Sequence, residues 1–432
     1  MPSLIEKLLP TPSDYSPDQK SFLRKNIRMH LGDGSFYVLG FSFVSVQTIF
    51  PIFIKELGGN SIAIGSVQIL WLLGMNIPAA LVAQHLHRRT LFKSEMVKWG
   101  FVHRFMLFVS GVLAFVVIGR VSSDISVILF LLLLLLMAVF GSTAGLPWFQ
   151  VFTKTVPITL RGRLLGIRQL LGSGAGAVGG IMVAIILGTV TFPLNFAILF
   201  FAAFFFMMIS LKYLSKVNER PSEIKETEQY HRSIIAKAKN IIRTDKNFRL
   251  FLWVDAFAIM SISASSFYSV YAIEKFSLPV SFAGTFTAIV MVTNVVANIA
   301  FGIIGDSYGH RVNLLALAFA SAMASLFAIV SPNIFMYGFV FFFLACLTQI
   351  QSISRLSFIA EMCEENDRPA YIGIINTITA PTVCAGLLFG WLVPKIGYIS
   401  IFSITALLAM CSFVILMKFV AEPRNKVTVR RA

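Results

Sequence analysis

Twelve long apolar segments, each about 20 to 25 residues, run through this 432-residue chain in two sets of six joined by one basic stretch. A helix needs about 20 apolar residues to cross a hydrocarbon layer ~30 Å thick. Inside that layer the chain must satisfy its own backbone polar groups. The pattern predicts an all-α integral membrane protein with 12 transmembrane helices in two six-helix pseudo-repeat halves. Spans are expected at 34–54, 62–84, 98–118, 126–148, 164–188, 192–215, 249–272, 281–305, 312–331, 334–358, 370–393 and 397–420. The predicted units are a tail (1–33), an amino-terminal half (34–215), a basic linker (216–248), a carboxyl-terminal half (249–420) and a second tail (421–432).

The formal charge of +16 would suit nucleic acid, but where the charges fall argues against that partner. Lys and Arg gather in the tails and in alternate loops: Arg88, Arg89, Lys93 and Lys98 before the third span, and Lys154, Arg161 and Arg163 around the fourth-to-fifth turn. The opposite side holds only Lys55, Arg120, Lys275 and Lys395. This asymmetry predicts cytoplasmic termini in a multi-pass protein of the cytoplasmic (inner or plasma) membrane. The polar first 30 residues lack the apolar stretch of a cleavable signal, so insertion is expected to begin with the first span. Cys346, Cys363, Cys384 and Cys411 have no metal-ligand spacing and read as free thiols. No metal and no cofactor is expected.

Within the linker, Ile234, Ile235, Ala238, Ile241 and Ile242 recur at helical spacing among lysines and arginines. That is an amphipathic helix suited to an anionic membrane surface. The halves also echo one another. Arg161-Gly162-Arg163-Leu164-Leu165-Gly166-Ile167 aligns with Arg368-Pro369-Ala370-Tyr371-Ile372-Gly373-Ile374, and Gly179 then falls on Gly386. Parallel six-helix repeats are a known carrier architecture with the solute site between them.

Between the eighth and ninth spans stands Gly302-Ile303-Ile304-Gly305-Asp306-Ser307-Tyr308-Gly309-His310-Arg311. It resembles the loop signature of the major facilitator superfamily, roughly G-x-x-x-D-R-x-G-R-R: Gly302, Asp306, Gly309 and Arg311 match, while Ser307 and His310 replace basic residues. The equivalent stretch of the first half, His85-Leu86-His87-Arg88-Arg89, lacks the aspartate. The resemblance covers nearly the whole chain and implies the superfamily's fold, with Asp306 and Arg311 as candidates for conformational control. Gly172-Ser173-Gly174-Ala175-Gly176-Ala177-Val178-Gly179-Gly180 keeps only the final glycine pair of the family's antiporter element, and reads as close helix packing.

Ionisable side chains inside spans are functional candidates. Asp255, Arg168, Arg355, His103 and Arg104, with Asp33 at the border of the first span, fall toward the predicted cytoplasmic side and read first as an inner gate, with Asp255 pairing either Arg355 or Arg168 and with Asp255, then His103, as candidates for coupling. Arg104 and Arg168 have snorkelling to the headgroups as their alternative. The family fold implies a cavity lined by the first, fourth, seventh and tenth spans. Carried over by order, these offer Gln47, Trp148, Tyr268, Tyr271, Gln349 and Gln351, a set suited to a neutral polar or amphipathic solute.

No GxSxG, Walker loop or HExxH occurs, so no catalytic residue and no enzyme activity is expected. The expected function is secondary transport of a small solute by alternating access, with or without a coupled proton, and with uptake or efflux open. The alternative is a non-transporting receptor or assembly factor on the same fold. The expected partners are a small-molecule substrate and the bilayer, the chain acting as a monomer, the superfamily's usual state.

Overall fold

The computed structural model describes residues 9, 15–86, 89–221, 234–364 and 367–423. Among these residues every regular element is helical. Helix α1 (Pro17–Ser42) starts at a capping box, with Ser16 and Gln19 each satisfying the other's backbone N–H and Pro17 filling the first turn. After α2 (Ile49–Glu56) and α3 (Ser61–Leu86) come α4 (Lys93–Val116), α5 (Ser123–Thr155), α6 (Ile158–Thr189) and α7 (Leu194–Ser215). The second part of the chain holds α8 (Ile234–Thr244), α9 (Lys246–Ile262), α10 (Ser265–Lys275), α11 (Phe282–Tyr308), α12 (His310–Val330), α13 (Ile334–Met362), α14 (Arg368–Thr379) and α15 (Ala385–Lys418). The polar interruptions read from sequence do cap helices: Ser122 accepts from Ile125 N, and Asn333 from Met336 N.

Nine helical stretches among the described residues are long and apolar enough to cross a membrane. The twelve predicted crossings fit them, because three spans are disguised. The first is broken between α1 and α2, where Ile49 and Phe50 N–H groups both turn back to the Ser45 carbonyl. The second shows a shorter apolar stretch, Ser61–Asn76. The last two form one continuous stretch, kinked at Gly397, whose φ of 78° favours a residue without Cβ. The seventh span is likewise broken at Ser263–Ala264, between α9 and α10.

The structure resolves into two compact units. The first comprises Met1–Gly59, Leu70–Lys225 and Pro279–Val295; the second comprises Asn60–Ile69, Glu226–Leu278 and Val296–Ala432. In the first unit α1 packs on α6 and α7, while α4 packs on α5 and α7. In the second, α9 packs on α15, and α12 on α13 and α15. The pairings α1–α7, α4–α5 and α4–α7 thus recur as α9–α15, α12–α13 and α12–α15, which is the internal repeat expressed as packing.

Both units leave large apolar side chains bare. Ile128, Ile185, Val296, Ile303 and Leu407 are all more than half exposed, as a surface solvated by lipid requires. The glycine-rich part of α6 bears out close packing. A Cβ at Gly172 would press on Val38 of α1, and one at Gly284 of α11 would collide with Ala184 of α6. In the linker, α8 forms over the expected residues. Its Ile241 is buried and the helix rests against α9 and α14, so this part of its apolar stripe packs on protein rather than lipid.

Candidate transport site

A cavity of about 200 Å³ lies inside the first unit, walled by α1, α3, α4, α5, α6 and α7. Its polar wall starts from Asp33 on α1, only 1% exposed. Ser210 on α7 donates to Asp33 Oδ1 at 2.7 Å, and Arg168 Nη2 on α6 donates to Oδ2 at 3.0 Å. Gly34 makes this possible, because a Cβ there would strike the Arg168 side chain. Arg104 on α4 is 3% exposed and turns inward: Nε donates to the Met207 carbonyl at 2.7 Å, Nη1 to the Gly100 carbonyl at 2.8 Å and Nη2 to Ser210 Oγ at 2.9 Å. Neither arginine snorkels. A guanidinium held by three inward acceptors gains more from them than from reaching the headgroups.

Aromatic rings complete the wall. His103 Nδ1 lies 2.8 Å from the Met137 carbonyl, an acceptor that assigns the proton to Nδ1 and leaves Nε2 to face the Tyr37 hydroxyl at 3.5 Å. The Arg104 guanidinium sits 5.5 Å from the Tyr37 ring centre, and that of Arg168 sits 4.8 Å from the Trp148 ring.

The second unit has its own buried ion pair. Arg355 on α13 grips Asp255 on α9 with two bonds, Nε to Oδ1 at 2.7 Å and Nη2 to Oδ2 at 2.8 Å, while Nη1 donates to Asn376 Oδ1 at 3.0 Å. Asp255 is 3% exposed. Both its oxygens accept from the same guanidinium. Of the two partners expected for Asp255, the structure selects Arg355 and gives Arg168 to Asp33.

The other sequence candidates scatter. Trp148, Arg168 and His103 meet in the first-unit cavity. Gln47 is half-buried in the break of the first span. Tyr268 is a core residue, its hydroxyl bonded to Ser325 at 2.9 Å. Tyr271 lies among Tyr398, Tyr337 and Phe402. Gln349 accepts from Asn298 at 3.5 Å, and Gln351 is half-buried. Asp306 is exposed, whereas Arg311 donates to the Leu416 and Met417 carbonyls at the end of α15, the favourable place for a cation.

Sequence reasoning had Asp33 and Arg104 among its inner-gate candidates and missed Ser210, which joins them and carries no charge to betray it. It also missed Glu219. The first-half loop has no aspartate, yet Glu219 from the linker reaches back to cap α4, accepting from Phe92 and Lys93 N–H at 2.8–3.0 Å while pairing Lys154 at 2.6 Å. Residues 87, 88 and 365 of the loop readings, 222–233 of the linker, and 1–8, 10–14 and 424–432 of the tails lie outside the described residues.

A helical membrane-spanning protein built from two similarly packed units is the class that this geometry defines. Residues 256–432 match the model of the Major Facilitator Superfamily. The solved structure of the nucleoside transporter NupG is similar at a TM-score of 0.66 and 14% identity, covering 92% of this chain and 99% of that one. A D-xylose–proton symporter is similar at 0.67 and 12%, covering 93% and 99%. A POT family transporter in complex with 5-aminolevulinic acid is similar at 0.63 and 10%, covering 92% and 96%. Comparison with curated protein sequences gives no match. Over residues 256–432 the chain is similar in sequence to the Major Facilitator Superfamily, and over nearly its whole length it has the fold of these solved transporters. It is an integral multi-pass membrane protein.

Proposed function

We propose that the protein moves a small polar organic solute across the cytoplasmic membrane by alternating access, as a monomer with both termini in the cytoplasm. The observation that carries this reading is the first-unit cavity, where charged and aromatic side chains from four helices converge at a depth that lipid-facing helices have no reason to make polar. The halves 34–215 and 249–420 would be the moving bodies. Asp255, Arg355, Asp306 and Arg311 would bias the gate between their arrangements, since ion pairs at helix ends and interiors favour one packing over another.

The bidentate Asp255–Arg355 pair favours a gating role for Asp255 over proton carriage, and His103 is the remaining candidate for coupling. Counterflow of radiolabelled solutes in proteoliposomes tests the reading. Accumulation of one solute class, with or without an imposed pH gradient, supports it and reports the coupling. A folded, ligand-binding protein with no flux of any solute, in either direction, sinks it.

A further inference from the structure

The first-unit cavity lacks one acceptor. Arg104 and Arg168 bring two positive charges to its wall, against one carboxylate, Asp33, among the described lining residues. Both oxygens of Asp33 are already engaged, by Ser210 and Arg168. Arg168 Nε and Trp148 Nε1 nevertheless remain buried with no acceptor. These two donors sit on neighbouring side chains, since the guanidinium lies over the indole. A net positive charge and two unmet donors in a low-dielectric pocket call for an anionic acceptor. The remaining wall is apolar or aromatic, with Tyr37, Met75, Met96 and Leu214.

Resting on the transport reading above, we propose that this cavity binds a small monocarboxylate with an apolar or aromatic body. The carboxylate accepts from Arg168 and Trp148, and its body lies against Tyr37 and the methionines. One surplus charge matches a monoanion rather than a dianion. A volume near 200 Å³, below the roughly 300–1,000 Å³ of drug-sized sites, limits the ligand to a compact acid.

The test uses the full chain in lipid nanodiscs, with thermal unfolding and titration calorimetry against benzoate, 3-phenylpropionate and hexanoate. The matched neutral amides and the dianion phthalate serve as comparisons. At least one monocarboxylate should raise the melting temperature in a dose-dependent way, while its amide and phthalate do not. Trp148→Phe keeps the ring and leaves the Asp33 ion pair untouched, and should weaken that binding roughly tenfold. Arg168→Gln should abolish it; should that variant fail to fold, Trp148→Phe still decides. No shift from any monocarboxylate, an equal shift from the amide, or unchanged affinity in Trp148→Phe overturns the proposal. Binding without flux in proteoliposomes rejects the transport reading alone. Flux of a neutral solute by protein that binds no monocarboxylate rejects this site alone.

Discussion

Arg104 reaches Asp33 only through Ser210: its Nη2 donates to the serine oxygen at 2.9 Å, and that hydroxyl donates onward to the carboxylate at 2.7 Å. The relay ties α4, α7 and α1 together through one small neutral side chain. Ser210→Ala removes it and leaves a guanidinium N–H and a carboxylate oxygen unpaired. The expected cost is about 1–3 kcal/mol, visible as a lower melting temperature in detergent. A variant as stable as the parent would show that the relay contributes nothing.

Asp255 and Arg355 are coupled more tightly. Asp255→Asn leaves a buried guanidinium without its counter-charge, at a cost of about 3–5 kcal/mol. Adding Arg355→Gln removes the stranded charge and should recover most of that stability but not the transport rate. Full recovery of transport in the double variant would reduce the pair to a structural role.

The crossing of α6 and α11 depends on bare backbone. Gly284→Val forces a branched side chain against Ala184 and Gly180 and should cost about 1–3 kcal/mol. Gly302→Val, on the same helix but with no neighbour near its Cβ, is the control and should be close to neutral. Equal effects at the two positions would argue against close approach at the crossing.

Glu219 is 1% exposed in its side chain and serves the α4 amino-terminus and Lys154 at once. Glu219→Gln should destabilise the first unit by about 3 kcal/mol. Lys154→Met should cost less alone, and the two substitutions should be non-additive in a double-mutant cycle. Simple additivity would disprove the coupling.

Cys363 lies just beyond the end of α13, outside the membrane-spanning stretches. Burial pushes its thiol up to about 11, partly opposed by Arg368. A raised value keeps the thiol protonated at neutral pH, so the thiolate fraction near pH 8 should be roughly 100-fold below that of a free cysteine. Alkylation by iodoacetamide should be slow at pH 8 and accelerate toward pH 10. Fast labelling at pH 7 would contradict the burial.

Much of the site was unreadable from the chain for a definite reason. Asp255 and Arg355 stand 100 residues apart, and a charge inside an apolar segment announces itself whatever its partner; only the choice of partner was open. Asp33 and Arg104 sit near predicted span ends, where a charge usually reaches water. Nothing local says that α7 will place Ser210 between them. Trp148 was legible as an aromatic in a span, but its bare indole N–H is a property of its neighbours.

The sequence by itself pointed to a chain that lives in a bilayer, to two halves that repeat, and to a resemblance with one superfamily's loop motif. Those properties follow from segment length, hydropathy and a loop motif, all local along the chain. The tertiary structure alone decided which carboxylate pairs with which arginine, that Arg104 and Arg168 face inward, that Glu219 caps α4, and where the polar cavity lies. Helix rotation and close approach set those contacts, and both depend on packing between residues far apart in the sequence, as Asp33 and Ser210, 177 positions apart, are.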